Sequence, residues 1–372
     1  MNILVLSDTH TVDLEVLRQV VAEGIKRGAE LVIHCGDISS KHLQPELFGN
    51  LPVVCALTKK EIGDDGMLIA GKESFAVPPP GWVFTKPGAR IYALSEDENI
   101  YVGHNLSFEF LQGSEDLLDR KLQEIRNKYD CVRWLFSGHT HHQIYKQGRL
   151  ISFVNPGAVY SFTDGYEFVM VNTETREIVF CRVLNTIPTT KPFSIGLISD
   201  SMNISEMDPT FWGKLAGEFK RRDVTTIIHC GNIDEKDIGR PELADFKIHF
   251  NLIKGQKYEK KFDNWILINQ EHPIVDVGGH IIYVQWALGA DLLEKSERDM
   301  KKICLGLKLK YDHRISCVVF GFTNEAFLEE GEECWMVNPG DVIKDRNFAV
   351  ICFPRIEVTF KSVPIDLPTQ NS

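Results

Sequence analysis

Long apolar runs are absent from this chain. No stretch approaches the ~18 consecutive apolar residues of a membrane-spanning helix, so an α-helical membrane protein is excluded. No secretory leader is expected at the start either. Met1-Asn2-Ile3-Leu4-Val5-Leu6-Ser7-Asp8 reaches a carboxylate after a handful of apolar residues and has no cationic flank. The expected location is cytoplasmic. CxxC pairs are absent, which removes the usual thiolate set of a structural zinc site. The nine cysteines are odd in number and scattered. Cys35, Cys55, Cys181, Cys230, Cys317 and Cys352 fall inside apolar runs, as buried free thiols of a reducing compartment do. Basic residues are in deficit, 41 against 52 acidic, for a net charge of −11. Binding to a phosphate backbone needs a local cation excess, so nucleic acid in bulk is disfavoured, while a nucleotide or small phosphoester in a local site is not. With 43% hydrophobic and 25% charged residues, neither disorder nor a fibrous repeat is in question.

What the chain does contain is a near-copy of itself. Ile3-Leu4-Val5-Leu6-Ser7-Asp8 returns as Ile195-Gly196-Leu197-Ile198-Ser199-Asp200. Leu31-Val32-Ile33-His34-Cys35-Gly36-Asp37 returns as Thr226-Ile227-Ile228-His229-Cys230-Gly231-Asn232, and Val154-Asn155-Pro156-Gly157 returns as Val337-Asn338-Pro339-Gly340. The offsets of 192, 195 and 183 drift as loop insertions would make them drift. Two homologous domains, 1–187 and 192–372, are expected. The join is Thr186-Ile187-Pro188-Thr189-Thr190-Lys191-Pro192, whose prolines block helix and central strand alike.

Each half opens strand, helix, strand. Leu14, Leu17, Val20, Val21 and Ile25 recur at helical spacing, with Gly28 as a stop signal. Residues 31–35 form the continuous apolar run of a buried strand. Later segments (150–154, 166–172, 177–184) read as short strands joined by turns such as Asn172-Thr173-Glu174. The expected fold is α/β, a tandem four-layer α/β/β/α sandwich.

Chemistry-bearing residues collect where the apolar runs end. Asp8-Thr9-His10 follows the first run and Gly36-Asp37 the second; Gly103-His104 follows residues 99–102, and Gly138-His139-Thr140-His141 follows residues 132–136. In open α/β sheets ligands bind beyond the carboxyl ends of strands. Alternation in an extended segment puts Asp8 with His10, and His139 with His141, on one face. Carboxylate and imidazole without thiolate suit Mn, Fe, Zn or Co. Two aspartates and four histidines exceed one tetrahedral ion and fit a pair of metals ~3.5–4 Å apart, an arrangement that clamps an in-line phosphoryl displacement. His34 and His229 fall inside buried runs and read as core histidines; His42 and His142 read as facing solvent.

Together these motifs resemble the calcineurin-like metallophosphoesterase family, and most of all its small bacterial and archaeal phosphodiesterase branch. The resemblance covers residues 1–185 and, in degraded form, 192–365. It implies that Asp8, His10 and His141 hold a first metal, that His104 and His139 hold a second, and that Asp37 bridges the two. It implies hydrolysis of a phosphoester by a metal-bound hydroxide, depending above all on Asp37, His104 and His139. Two divalent ions are implied as cofactors, with Mn or Fe favoured. A small phosphoester or nucleotide-like substrate is expected, and a protein partner or self-association through the second domain.

Several positions depart from the family pattern. The Asn that follows the third strand is missing; Leu57-Thr58-Lys59-Lys60-Glu61 stands there. Lys59 or Lys60 points away, or supplies an ammonium in place of the second metal, or leaves the oxygen to Glu61, Asp64 or Asp65. His104 is followed by Asn105-Leu106, so a second histidine is absent. In the second half Asp200 is retained, but Met202, Asn232, Trp286, Phe322 and Asn324 stand for His10, Asp37, His104, His139 and His141, and Gln256 lies near the missing Asn. This copy is expected to fold alike and hold no metal. In the Pro-rich insertion after Glu61, Phe75, Trp82 or Phe84 either stack on a substrate ring or pack on the core. Leu293–Met300 reads as an amphipathic helix with a solvated lysine face. The alternative to catalysis is a non-enzymatic scaffold of the same fold, and an exonuclease is disfavoured by the acidic charge.

Overall fold

The computed structural model describes residues 1–57, 68–70, 73–75, 81–85, 91–95, 98–104, 123–125, 127–129, 131–148, 151–159, 165–184, 191–252, 258, 262–286, 305–307, 309–311, 315–321, 326–330 and 334–364. The positions of Lys59, Lys60, Glu61, Asp64, Asp65, Asn105, Leu106, Pro188, Gln256, Leu293–Met300, Phe322 and Asn324 lie outside them.

The first half runs β1 (Asn2–Leu6), α1 (Leu14–Lys26), β2 (Leu31–His34), β3 (Val53–Ala56), β4 (Leu68–Ala70), β5 (Glu73–Phe75), β6 (Trp82–Thr85), β7 (Ile91–Ala93), β8 (Asn99–Gly103), β9 (Val132–Ser137), β10 (Gln143–Gln147), β11 (Ser152–Pro156), β12 (Gly165–Asn172) and β13 (Glu177–Leu184). The second runs β14 (Phe193–Ile198), α2 (Ile204–Met207), α3 (Phe211–Lys220), β15 (Val224–His229), β16 (Lys247–Phe250), β17 (Trp265–Leu267), β18 (Ile274–Val277), β19 (His280–Gln285), β20 (Ile315–Phe320), β21 (Phe327–Glu330), β22 (Trp335–Asn338), β23 (Asn347–Phe353) and β24 (Glu357–Ser362).

Strand alternation builds the layers. In β1, Ile3 and Val5 enter the core between the two sheets, while Leu4 and Leu6 face the layer under α1 with Val20 and Phe48. The helix presents Leu17, Val20, Val21 and Gly24 to that layer and ends before Gly28, which has φ +86°. In the second half Ile195 and Leu197 face inward, and Ile198 lies under α3 with Phe219 and Phe348. Ile125 and Tyr129, in a helical stretch, cover the outer face of the second sheet over Val132, Leu135 and Phe153. Helix, sheet, sheet and helix follow in order, the four-layer α/β/β/α sandwich expected from the sequence.

The two halves share their sheets. One sheet has 12 strands in the order β17-β16-β15-β14-β23-β24-β13-β12-β1-β2-β3-β6, and the other has 10 in the order β18-β19-β20-β22-β21-β10-β11-β9-β8-β7. Each order reads alike from either end. The halves meet where β13 pairs antiparallel with β24 and β10 with β21. Contacts across this seam are reciprocal. Arg27, just past α1, pairs with Glu357 at 3.0 Å; Arg222, just past α3, pairs with Glu177 at 2.9 Å. Arg27 also lies over the Phe168 ring and Arg222 over Phe348. Such i-to-j and j-to-i pairing marks an isologous contact.

One sequence expectation needs adjustment, and one open alternative is decided. His42 is fully buried rather than solvent-facing; its ring bridges the Val12 carbonyl and the Ser39 hydroxyl, which satisfies both nitrogens. Trp82 is core, edge-on to Phe48 at 5.0 Å, because β6 extends the sheet beside β3. Phe84 lies 6.0 Å from the Trp82 ring, and the side chain of Phe75 lies outside the described residues.

Candidate metal centre

Strands β1, β2 and β3 run parallel, as do β8, β9 and β11. Their carboxyl ends therefore face one edge, and the six sequence-predicted residues collect there. The turns are held in an uncommon backbone state. Asp8, Asp37, His139 and His141 have φ of 54°, 58°, 76° and 61°. Left-handed backbone at residues other than glycine is uncommon and clusters at functional sites. The turns after β1 and β2 are laced together: Asp8 N donates to Gly36 O and Thr9 N to Asp37 O, each at 3.1 Å. Gly36, at φ +105°, lets His104 lie directly on this turn; a Cβ there would sit 2.7 Å from His104 Cβ.

The side chains converge. Ligand-type atoms of Asp8, Asp37 and His104 all lie within 4.8 Å of one another. His10 Nδ1 is 3.0 Å from Asp37 Oδ2, and His141 Nε2 is 3.2 Å from Asp8 Oδ1. The His139 ring stands 5.1 Å from that of His104, nearly perpendicular. Asp8 is wholly buried and His104 nearly so, while His10, Asp37 and His141 are half-buried and His139 is exposed at the mouth.

Electrostatics follow this packing. Burial pushes the Asp8 carboxyl up, but His141, the charge at His104 and the His139 N–H outweigh it and hold it below the ordinary carboxylate range. Burial, aided by His104, pulls the His139 imidazole down. Contact with the Asp8 carboxylate lifts His141 above its ordinary value.

The donor set fits a divalent metal. His104 Nδ1 donates to the Cys35 carbonyl at 3.2 Å, the outer contact typical of a ligating imidazole. Its Nε2 lies 3.7 Å from Asp8 Oδ1. This buried oxygen accepts no hydrogen bond of good geometry. With Nε2 deprotonated, as a metal ligand must be, this pair calls for a cation between its two atoms.

Thr9, His34 and Asn155 brace the site through contacts the sequence does not reveal, although His34 reads from it as a core histidine. His34 Nδ1 accepts from Gly36 N at 3.2 Å, so its Nε2–H donates to Thr9 Oγ1 at 3.0 Å, tying β2 to the Asp8-Thr9-His10 turn. Asn155 Nδ2 donates to Gly138 O and Thr140 Oγ1, and its Oδ1 accepts from Gly157 N. The signal was present, since both His34-Cys35-Gly36 and the Asn-Pro-Gly turn recur in the second half.

There the same frame carries different chemistry. Asp200 and Asn232 keep φ of 53° and 61°, and Gly231 keeps its close approach, now to Trp286 Cβ at 2.7 Å. The Asp200 carboxylate is occupied by protein donors. Asn232 Nδ2 at 3.1 Å and Trp286 Nε1 at 2.9 Å donate to Oδ1, and Ser199 Oγ at 2.7 Å donates to Oδ2. Neutral donors take the place of the imidazoles and of any cation.

Comparison with known proteins bears on the first half. The family model described as calcineurin-like phosphoesterase superfamily domain matches residues 1–176. No curated protein sequence matches the chain. Among solved structures, a novel archaeal phosphodiesterase aligns at 19% identity over 49% of this chain and 100% of its own, with a TM-score of 0.34. The phosphoesterase Yfce from E. coli aligns at 17% identity over 50% of this chain and 93% of its own, with a TM-score of 0.30. Wild-type Vps29 complexed with Zn²⁺, from Entamoeba histolytica, aligns at 16% identity over 51% of this chain and 96% of its own, also with a TM-score of 0.30. The first half of this chain, residues 1–176, is a calcineurin-like phosphoesterase superfamily domain.

Proposed function

We propose that the protein is a metal-dependent phosphodiesterase of the cytoplasm, with domain 1–187 catalytic and domain 192–372 a metal-free copy arisen by duplication. The observation that carries the reading is the convergence of Asp8, Asp37 and His104 ligand atoms within 4.8 Å around a buried Asp8 oxygen, with His10, His139 and His141 beside them. Asp8, His10 and His141 would hold one divalent ion, His104 and His139 a second, and Asp37 would lie between them. Mn or Fe is favoured over Zn or Co. When bound, such ions lower the pKa of a water toward ~7 and draw charge from phosphoryl oxygens. The chain's own part is to fix the donors. The Cys35 carbonyl sets the His104 tautomer. The Thr9–His34 contact and the Asn155 contacts hold the two ligand-bearing turns in place. Half-buried His10 and Asp37 and exposed His139 form the mouth, where a phosphoester enters.

The duplication reading rests on the palindromic strand order and the reciprocal Arg27–Glu357 and Arg222–Glu177 pairs. The closed hydrogen bonding of Asp200 favours a non-catalytic second copy, a cover or protein-binding surface. Elemental analysis paired with hydrolysis of bis-p-nitrophenyl phosphate, with and without Mn²⁺, tests the whole. About two metals per chain, and turnover lost in Asp37→Ala, are expected. One metal or fewer, without turnover above that variant, replaces catalysis with a scaffold function.

A further inference from the structure

The seam between the halves opens a second polar cleft, of about 200 Å³, at the edge of the sheets opposite the candidate metal centre. Arg133 and Ser152 stand at the starts of β9 and β11, whereas the candidate ligands follow the strand ends. The two places are therefore about 15 Å apart along β9. Both halves build the cleft: Arg133, Arg176 and Gln147 come from the first, Lys344, Asn347 and Lys361 from the second.

Its charge runs against that of the chain. In a protein of net charge −11, four cationic side chains line the cleft against one carboxylate, Asp345. Lys361 is committed to Glu177 and Glu218, each at 3.4 Å. Arg133, Arg176 and Lys344 are exposed, and their side chains make no ion pair or hydrogen bond among the described residues. The floor is apolar and rigid: Trp134, Tyr145 and Phe360 are each at most 5% exposed. Gln147 and Asn347 are fixed to each other at 2.6 Å across the seam. A cleft of one sign over low-dielectric walls concentrates the opposite charge.

We infer that this cleft binds a small phosphorylated anion, of the size of a sugar phosphate. The volume admits a compact monoester and is below the usual range for drug-sized ligands. Guanidinium forks at Arg133 and Arg176 suit phosphate oxygens bidentately, and Lys344 adds a point charge. Because the wall is shared, an occupied cleft ties the two halves together. The inference does not depend on the first domain being catalytic.

Titration calorimetry of the full chain with inorganic phosphate and with glycerol 3-phosphate tests it. The Asp37→Ala variant removes competing phosphate binding at the candidate metal centre. One equivalent of glycerol 3-phosphate is expected to bind both the unaltered chain and Asp37→Ala, more weakly as salt is raised. Arg133→Ala combined with Lys344→Ala is expected to weaken it about 10-fold or more, since two of the charge-assisted contacts are lost. Both residues are exposed, so their thermal transition should not move, and Arg133→Lys should restore part of the affinity. Binding lost in Asp37→Ala but unchanged in the double variant overturns the inference, as does the absence of any binding.

Discussion

Acid should unfold this protein early, and two histidines say by how much. His34 and His229 are wholly buried, one in each half, and burial pushes both down to about 3 from an ordinary value near 6.5. In each, Nδ1 accepts from a backbone N–H and Nε2 donates to a hydroxyl, so the neutral ring is fully used. Below about pH 6.5 the unfolded chain takes up a proton at each site, and the folded chain takes up none until about pH 3. Stability is therefore complete above pH 6.5 and falls as pH drops, by ~1.4 kcal/mol per pH unit per histidine. At pH 5 the loss is about 2 kcal/mol for each and about 4 for the pair. Total stabilities of ~5–15 kcal/mol make that a large share.

Urea unfolding at pH 7, 6 and 5, with a chelator present so that metal loss does not enter, gives the slope directly. His229→Gln is the informative variant, because His229 lies far from the candidate metal centre and an amide can both accept from Gly231 N–H and donate to Ser201. It should start less stable at pH 7 by roughly 1 kcal/mol and lose about 2 kcal/mol less than the unaltered chain between pH 7 and 5. A slope left unchanged by His229→Gln refutes the reasoning, since the proton would then be taken up elsewhere.

Other outcomes follow from the two halves being built alike. Asp200→Ala should leave turnover of bis-p-nitrophenyl phosphate unchanged, whereas His139→Ala should abolish it with circular dichroism unaltered. Gly36→Ala and Gly231→Ala should each cost roughly 2 kcal/mol or more, from positive φ and a Cβ placed 2.7 Å from the neighbouring ring's Cβ; only Gly36→Ala should also lower bound metal. Arg222→Ala removes partners from Glu218, which is 2% exposed, and from Glu177 across the seam. Thermal unfolding should show a loss of about 1–3 kcal/mol, with a coupling to Glu177→Ala of about 0.5–1 kcal/mol in a double-mutant cycle.

Much of this architecture is legible in the chain because strand burial leaves a strong trace. Ile3-Leu4-Val5-Leu6 and Leu31-Val32-Ile33 are apolar on both faces, which only a sheet covered on both sides demands. The ligand-type residues announce their place by following those runs directly. His42 is not legible in this way, because a single polar residue carries no sign of its partners; its burial depends on the Val12 carbonyl and Ser39 hydroxyl, brought to it by the chain's return. The seam is invisible for a related reason. Residues 178–180 and 358–360 are ordinary strand sequences, and nothing local says that they pair with each other. Antiparallel edges are generic, and specificity comes from charges at their ends, Arg27 with Glu357 and Arg222 with Glu177.

The comparison of Asp8 with Asp200 carries the argument furthest. The backbone around them is held alike, with the same left-handed turn, the same lacing to the glycine carbonyl of the next strand and the same buried histidine beneath. A buried carboxylate on such a frame must be neutralised or fully hydrogen-bonded. In the second half Asn232, Trp286 and Ser199 meet that demand with protein donors. In the first half Asp37, His104 and His141 surround the carboxylate with groups that themselves carry charge or lone pairs, and one of its oxygens is left without a good hydrogen bond. Burial asks the same of both aspartates, so the difference in their neighbours is a difference in what neutralises them. That is the physical reason to look for metal in residues 1–187 and for a structural or binding role in residues 192–372.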